Sequence, residues 1–358
     1  MKRTIAFAKP FIDKKEITAV TKILRSGWLT MGEETIAFEK EFAEYVGAKW
    51  AVAVNSCTSA LFLSLKALGV GRGDEVIVPS FTFAATANVI VHNGATPIFV
   101  DIKADDFTID LKSVEKKLSK KTKAVIPIHY AGNLAQTDFQ TKVLEDSAHR
   151  IAPKHRSENL VCYSFYATKN LTTAEGGMIT TDDEEMAKWL VKARLHGLSH
   201  DAWKRYAPGG NWRYEVEFCG YKFNTIDLLA AMGRVQLQKL EGMEEKRKQI
   251  ISRYNQLLGL KNQGTHLYPI LVEQRDKFMA YIKAQGISCS FHFLPLHKSP
   301  AFVEYKTPSL PVTEYVGNRV VTLPLYPGLS LKEVETVCQK VKKFGQFNEG
   351  QFGLTVLT

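Results

Sequence analysis

The sequence lacks the features that mark several classes of protein. Its 358 residues contain only five cysteines, an odd number with no close pair, which excludes a disulfide framework and a zinc knuckle and favours a reducing cytoplasm. No run approaches the roughly 18 uninterrupted apolar residues of a membrane span. Charged residues from Asp13 onwards follow the N-terminus before any long apolar stretch, so a secretory signal is not expected.

Several catalytic signatures are missing too. The sequence has no His-Glu-x-x-His zinc motif, no Gly-x-x-x-x-Gly-Lys-Ser/Thr phosphate loop and no Gly-x-Ser-x-Gly elbow. His292 and His297 lie close together, but no cysteine or carboxylate stands beside them in the sequence. Because zinc sites need several such ligands, we expect no metal site here.

The net charge of +10 gathers in basic stretches such as residues 112–123 and 246–248. Such stretches either attract nucleic acids and other anions or form solvated helix faces. No aromatic residues alternate with these lysines as they do in proteins that bind single strands. The composition therefore favours solvated faces and predicts no nucleic-acid partner.

Short apolar runs alternate with helical patterns along most of the chain. Several runs are continuously apolar, which is typical of a parallel sheet covered on both faces. The predicted strands are residues 51–54, 75–78, 97–101, 124–128, 143–146, 161–165 and 178–180. A long helix is predicted from about residue 227 to residue 254, and beyond Gly264 the pattern is that of a smaller α+β unit. We therefore predict an α/β fold with a large domain at residues 1–245 and a small C-terminal domain at residues 246–358.

Four stretches next to predicted strands carry candidate chemistry. Lys169 follows a buried strand, and a partly desolvated lysine is a stronger nucleophile for a Schiff base, although alone it is also consistent with an ordinary surface lysine. Asp146 ends another strand, where a carboxylate can hold a protonated pyridine nitrogen. Residues 55–60 join a strand to a helix, and their N–H groups form either a phosphate seat or a plain N-cap. Phe83 follows a further strand and either covers a ring or packs in the core.

These stretches, taken with others in the same order, resemble the DegT/DnrJ/EryC1/StrS family of sugar-nucleotide aminotransferases, which belong to the fold type I group of pyridoxal 5'-phosphate (PLP) enzymes. Each stretch alone is weak, but together they cover most of the chain: 26–32 (SGWLTMG), 51–61 (AVAVNSCTSAL), 73–79 (GDEVIVP), 99–102 (FVDI), 127–132 (PIHYAG), 145–149 (EDSAH), 164–170 (SFYATKN), 194–197 (RLHG) and 220–227 (GYKFNTID). The resemblance implies a large domain with a mixed, mostly parallel sheet between helices and a smaller α+β domain.

The resemblance also implies a role for each matching residue. Lys169 would form the Schiff base with PLP, and Asp146 would pair with its ring nitrogen. The other implied cofactor contacts are Phe83 on the ring face, His149 beside the phenolic oxygen, and Cys57, Thr58 and Ser164 on the phosphate. Asn224 would reach the phosphate of a neighbouring subunit, which implies a homodimer with shared active sites. The implied substrate-binding residues are Trp28, Thr30, His129, Tyr130, Lys204, Arg205 and His292.

The expected activity is transfer of an amino group from glutamate to a nucleotide-linked keto-sugar, with a 4-keto-6-deoxyhexose expected, in the cytoplasm. Its product would enter amino-sugar and surface-glycan synthesis, for example lipopolysaccharide. A 3-keto-sugar aminotransferase, or another PLP enzyme acting on sugars, is an alternative. Family members that act as dehydratases carry histidine at the position of Lys169, which argues against that activity.

A non-catalytic basic binding protein on a degenerate enzyme scaffold is the other alternative. It is motivated by the charge and by two segments shorter than the family pattern, between Asp138 and Val143 and between His149 and Val161. The retention of Lys169 and Asp146 argues against it, since pure binding requires neither residue.

Overall fold

The computed structural model describes residues 4–154, 157–199 and 213–345. Seven strands form one sheet in the order β1–β7–β6–β5–β4–β2–β3, and all neighbours are parallel except at β7, which runs antiparallel to both β1 and β6. The strands are β1 (Trp50–Val54), β2 (Glu75–Pro79), β3 (Thr96–Val100), β4 (Thr122–Val125), β5 (Lys142–Asp146), β6 (Leu160–Ser164) and β7 (Gly177–Thr181). The predicted α/β fold with a mostly parallel sheet is confirmed.

Most predicted strands agree with the structure to within one or two residues, and the largest difference is at β4. The apolar run predicted a strand over residues 124–128, but the regular ladder ends at Val125. Pro127 has no N–H to donate, which interrupts the ladder. The chain still follows β5, since the Pro127 carbonyl accepts from the Asp146 N–H at 2.9 Å.

Helices cover the sheet and begin and end at residues suited to these positions. Asp13 and Glu16 form a capping box at the start of α1, and Gly27, at φ 75°, ends it. The helices are α1 (Lys14–Ser26), α2 (Glu33–Val46), α3 (Cys57–Ala67), α4 (Ala84–His92), α5 (Leu111–Glu115), α6 (Glu184–Ala193), α7 (Asp227–Leu258), α8 (Arg275–Ala284), α9 (Pro311–Arg319) and α10 (Leu331–Lys343). Within the described ranges, no helix is long and apolar enough to cross a membrane.

A second, two-stranded antiparallel sheet pairs β8 (Tyr268–Leu271) with β9 (Val320–Leu323). The long helix α7 is continuous through residue 245 and contributes to two hydrophobic clusters. Leu240 and Met243 pack in a cluster with residues of the seven-stranded sheet, whereas Ile250 and Leu258 pack in a cluster with the second sheet. The domain boundary near residue 245 thus falls inside a helix, and the division into two domains stays a prediction.

The N-terminal segment packs against the second sheet's cluster, which sequence patterning did not predict. Ile5 exchanges backbone hydrogen bonds of 2.9 Å with Gly286 and Ser288. The carbonyl of Phe7 accepts from the Leu325 N–H at 3.3 Å. These bonds hold Phe7 and Ala8 at the edge of the cavity described next.

Candidate active site

A cavity of about 340 Å³ opens where β5 and β6 end and α3 begins. This volume lies in the range of about 300–1,000 Å³ that is typical of small-molecule sites. It is also the edge of the sheet at which α/β folds bind ligands. Of the predicted site residues, eight line it: Cys57, Thr58, Phe83, Asp146, His149, Ser164, Lys169 and His292.

Lys169 lies in the turn after β6, where its N–H donates to the Tyr166 carbonyl at 2.9 Å. Burial of the amine lowers the pKa of Lys169 to about 8, and the nearby carboxylate of Asp146 opposes the shift. A larger fraction of the amine is therefore neutral near pH 7 than for an exposed lysine, whose pKa is about 10.4. The neutral amine is the form that attacks an aldehyde.

This shift predicts a distinct pH dependence for chemical labelling of Lys169. As pH rises through about 8, the neutral fraction grows and then saturates, so reductive methylation of cofactor-free protein should reach half its maximal rate near pH 8. Lys188 on α6 is the control, because hydrogen bonds from its ammonium to Glu185 and Glu184 raise its pKa. Peptide mass spectrometry resolves the two positions, and equal midpoints would contradict the prediction.

Asp146 is the buried carboxylate of the cavity. Its Oδ2 accepts from the Thr86 hydroxyl at 2.8 Å, and its Oδ1 accepts from the Ala148 N–H at 3.1 Å. Burial raises the pKa of Asp146, while these two donors and the charge of Lys169 act in the opposite direction. The carboxylate therefore has a fixed orientation, and a cationic ligand would offset the cost of its burial.

The start of α3 forms an anion seat. Ser56 caps the helix by accepting from the Ser59 N–H at 3.1 Å, so the capping interpretation is correct. Cys57 and Thr58 nevertheless line the cavity, and the first N–H groups of a helix have no intrahelical acceptor. Gly177 makes room for this turn: a Cβ there would lie 2.5 Å from the Ser56 carbonyl carbon and 2.6 Å from the Cys57 nitrogen.

The donor set of this cavity fits pyridoxal phosphate. The α3 N-terminus and Ser164 suit a phosphate, Asp146 suits a protonated ring nitrogen, and Lys169 suits an aldehyde carbon. Phe83 is 63% exposed although it lines the cavity and lies 6.1 Å from the Phe293 ring. A planar ligand would cover this exposed aromatic face.

Replacing Gly177 by alanine is expected to weaken cofactor binding and lower the Tm, because the backbone of the anion seat must shift to admit a Cβ. Overpacking of this kind typically costs about 1–3 kcal/mol. Gly242→Ala on α7 is the control, since a Cβ there meets nothing within 4 Å; alanine in a helix interior is expected to stabilise by up to about 1 kcal/mol. Cofactor titration and scanning calorimetry measure both effects, and a wild-type Kd and Tm in Gly177→Ala would show that the seat is not tight.

Two predicted substrate contacts lie elsewhere, which corrects the prediction. His129 is fully buried, with its Nε2 2.9 Å from Glu145 Oε2 and its Nδ1 accepting from the Ala135 N–H at 3.2 Å. Tyr130 is buried as well, and its hydroxyl donates to the His292 carbonyl at 2.7 Å. Neither residue lines the cavity, and the polar atoms of both form hydrogen bonds with other protein groups.

The remaining predicted residues lie outside the cavity of their own chain or outside the described residues. Trp28 and Thr30 lie in the turn before α2, where the Thr30 carbonyl accepts from the Asp227 N–H at 3.2 Å. Asn224 donates to the Thr225 carbonyl at 2.8 Å. Lys204 and Arg205 lie outside the described residues. The roles predicted for these five residues stay predictions.

Sequence reasoning missed several residues of the site. Thr86 lies one turn into α4, and its position on the inward face of a helix after a strand was a usable signal. His266 and Phe293 line the cavity from segments beside the second sheet, and Phe7 does so from the N-terminus. No local pattern marks these three, because only the packing of distant segments brings them to the cavity.

A lysine, a buried carboxylate and an anion seat at the edge of a mostly parallel sheet define a PLP-dependent enzyme. The comparisons with known proteins agree: the chain belongs to the DegT/DnrJ/EryC1/StrS aminotransferase family, whose sequence profile matches residues 10–342. It is therefore a PLP-dependent aminotransferase.

Individual relatives cover nearly the whole chain. The spore coat polysaccharide biosynthesis protein SpsC of Bacillus subtilis is 42% identical over 94% of this chain and 96% of its own length. Spr1654 of Streptococcus pneumoniae, solved in its PMP form, is 33% identical with a TM-score of 0.86 over 94% of this chain and 98% of that chain. PseC of Helicobacter pylori, an aminotransferase involved in pseudoaminic acid biosynthesis, is 28% identical with a TM-score of 0.87 over 95% of this chain and 99% of that chain.

Proposed function

We propose that the enzyme transfers an amino group from glutamate to a nucleotide-linked 4-keto-6-deoxyhexose, and that the amino sugar enters a surface glycan. The observation that carries the proposal is the family match over residues 10–342, together with a cavity whose lysine, carboxylate and anion seat suit PLP. SpsC acts in spore coat polysaccharide biosynthesis and PseC in pseudoaminic acid biosynthesis, and both roles support a glycan amino sugar as the product.

The chain's own residues account for the steps of amino transfer. PLP, when bound, accepts electrons from the carbon that loses its proton. Asp146 would hold a positive charge at the ring nitrogen, and Phe83 would cover one face of the ring. Lys169, with its pKa lowered to about 8, would take the proton from the α-carbon of the amino donor and deliver it, as a general acid, to the C4′ carbon of the cofactor, which keeps the amino group. Phe293 and Phe7 line the cavity and help to exclude water from the reacting atoms.

The cavity volume bears on where the nucleotide lies. About 340 Å³ accommodates a cofactor with a sugar ring but leaves little room for a nucleoside diphosphate. We therefore propose that the nucleotide lies outside the cavity, with the diphosphate on Lys204 and Arg205, because guanidinium and ammonium groups bind phosphate oxygens. A cytoplasmic location, where such nucleotide sugars are made, is part of the proposal.

A two-stage experiment tests the proposal. PLP-loaded enzyme is mixed with L-glutamate, and absorbance follows conversion of the cofactor to its amine form. That form is then mixed with dTDP-, UDP- or GDP-linked 4-keto- and 3-keto-6-deoxyhexoses, and the products are identified by mass spectrometry and NMR. Amination at C4 supports the proposal, and amination at C3 shows the alternative regiochemistry. Binding of nucleotide sugars without conversion by glutamate would favour the non-catalytic alternative.

A shared active site in a homodimer is also part of the proposal and has its own test. Asn224 lies outside the cavity of its own chain, as a residue that serves a partner's site must. Lys169→Ala and Asn224→Ala dimers are each expected to be inactive. Subunits mixed after mild dissociation should regain about a quarter of the wild-type activity, since half of the dimers are mixed and each has one intact site. No recovery on mixing, with mixed dimers verified by mass spectrometry, would argue against shared sites.

A further inference from the structure

A buried relay of polar side chains connects α7 to the cavity and is not explained by cofactor binding. Asn170, directly after Lys169, is buried, and its Nδ2 donates to Glu244 Oε1 at 2.6 Å. The Oδ1 atom of Asn170 lies 2.7 Å from Nδ1 of His266, which is also buried and lines the cavity. Arg247 lies 3.5 Å from Glu244 Oε1 and carries the opposite charge. The relay therefore runs Glu244, Asn170, His266.

The chemistry of these groups determines which atom carries each proton. A carboxylate only accepts, so the amide nitrogen of Asn170 must face Glu244 and its oxygen must face His266. An amide oxygen also only accepts, so Nδ1 of His266 must carry the hydrogen. In the neutral ring this leaves Nε2 of His266 unprotonated. Burial and the proximity of His149 and Lys169 lower the pKa of His266 well below its usual value, which keeps the ring neutral.

His149 has the opposite arrangement. Its Nδ1 lies 3.3 Å from the Ala131 N–H, which can only donate, so Nδ1 is unprotonated and Nε2 carries the hydrogen. Burial, again the largest cause, lowers the pKa of His149 well below its usual value. The two rings lie 4.4 Å apart with an interplanar angle of 35°. Within the described part of the chain, neither Nε2 has a protein hydrogen-bond partner.

We infer that His149 and His266 present a complementary pair to the cavity, a donor at His149 Nε2 and an acceptor at His266 Nε2, and that Glu244 and Asn170 are positioning residues that impose the acceptor. His266 lines the same cavity as Lys169. It can take a hydrogen bond from the free amine, which leaves the lone pair of Lys169 available for the donor's α-carbon proton. The relay thus prepares Lys169 for its role as a base.

Selective ¹⁵N labelling of the histidine side chains tests the inference in cofactor-free protein. In the wild type, the His266 resonances should show protonated Nδ1 and unprotonated Nε2, and those of His149 should show the reverse; variants at each position assign the signals. In Glu244→Gln, the new amide can donate as well as accept, so the Asn170 amide can flip and His266 should become a mixture of tautomers. Glu241→Gln, an exposed position on the same helix, removes the same charge and should leave the tautomer unchanged.

The kinetic arm measures the rate of cofactor conversion by glutamate. Loss of one positioned hydrogen bond is expected to lower the rate constant of Glu244→Gln about tenfold, with the apparent Kd for glutamate unchanged; Glu241→Gln should react as the wild type does. The kinetic arm rests on the proposed function, because it uses glutamate as the amino donor, whereas the NMR arm needs neither substrate nor cofactor. A failure of the proposed function can therefore be distinguished from a failure of this inference. A protonated Nε2 on His266 in the wild type, or identical spectra and rates in the two glutamate variants, would overturn the inference.

Discussion

Replacing Lys169 by alanine is expected to lower the rate of amino transfer by about 10⁴-fold. In the proposed mechanism the lysine supplies both the nucleophile for the cofactor aldehyde and the base that moves the proton, and a positioned general base alone contributes about 10²–10⁴-fold. Burial lowers the pKa of Lys169 to about 8, although Asp146 opposes the shift, and this value suits both roles near neutral pH. Single-turnover conversion with glutamate measures the loss.

Two controls separate this loss from unfolding. Lys188→Ala on α6 removes an exposed lysine, 57% accessible, and should retain the wild-type rate. Borohydride reduction of wild-type protein loaded with PLP should attach the cofactor to the peptide that contains Lys169. Attachment elsewhere, or a Lys169→Ala rate within tenfold of the wild type, would show that another amine is the nucleophile.

Replacing Asp146 by asparagine is expected to lower the rate by about 10²- to 10³-fold. Breaking a buried ion pair by neutralising one partner costs about 3–5 kcal/mol. Asparagine keeps the size of the side chain and can still accept from Thr86, but it cannot stabilise a positive charge on the ring nitrogen. Rapid-mixing kinetics and cofactor titration should show both a slower reaction and a weaker Kd for PLP.

The same substitution is expected to raise the Tm of the cofactor-free protein. Burial raises the pKa of Asp146, so in the folded protein the ionised carboxylate is disfavoured relative to the unfolded chain, and this cost is present at pH values above its folded pKa. Removing the charge removes the cost, a trade of stability for function that is common at active sites. Asp276→Asn, at an exposed position on α8, should change neither property. A lower Tm together with a wild-type rate would contradict the role of Asp146.

Local sequence signals predicted the elements and part of the chemistry. The strands that carry Asp146 and Ser164 were predicted to within one residue, because continuous apolar runs report burial on both faces of a sheet. Lys169 and the turn before α3 were candidates because each follows a strand at the edge where ligands bind, and the family resemblance supplied their predicted roles. The sequence also showed that the segment between Asp138 and Val143 is shorter than in the family pattern, and in the structure no helix forms between residues 133 and 141.

Contacts between distant segments could not be predicted in this way. His129 follows a predicted strand, much as Asp146 ends one, and was predicted to contact substrate, but packing against β5 directs it to Glu145 inside the protein. Thr86 lies 60 positions from Asp146 in the sequence, and His266 lies 96 positions from Asn170. No periodicity or motif encodes such a pairing.

The order of strands and helices along the chain and the class of fold follow from the sequence alone, since each depends on the burial pattern of short stretches, and the resemblance of nine stretches to one family predicts Lys169 as the reactive amine. Which side chains surround that amine was decided only by the tertiary structure. The orientation of Asp146 by Thr86, the contact of the His149 and His266 rings and the His266 tautomer imposed by Glu244 require segments from α4, α7 and the second sheet to meet. Hydrogen bonds act over about 3 Å, so their partners are set by packing rather than by position in the chain.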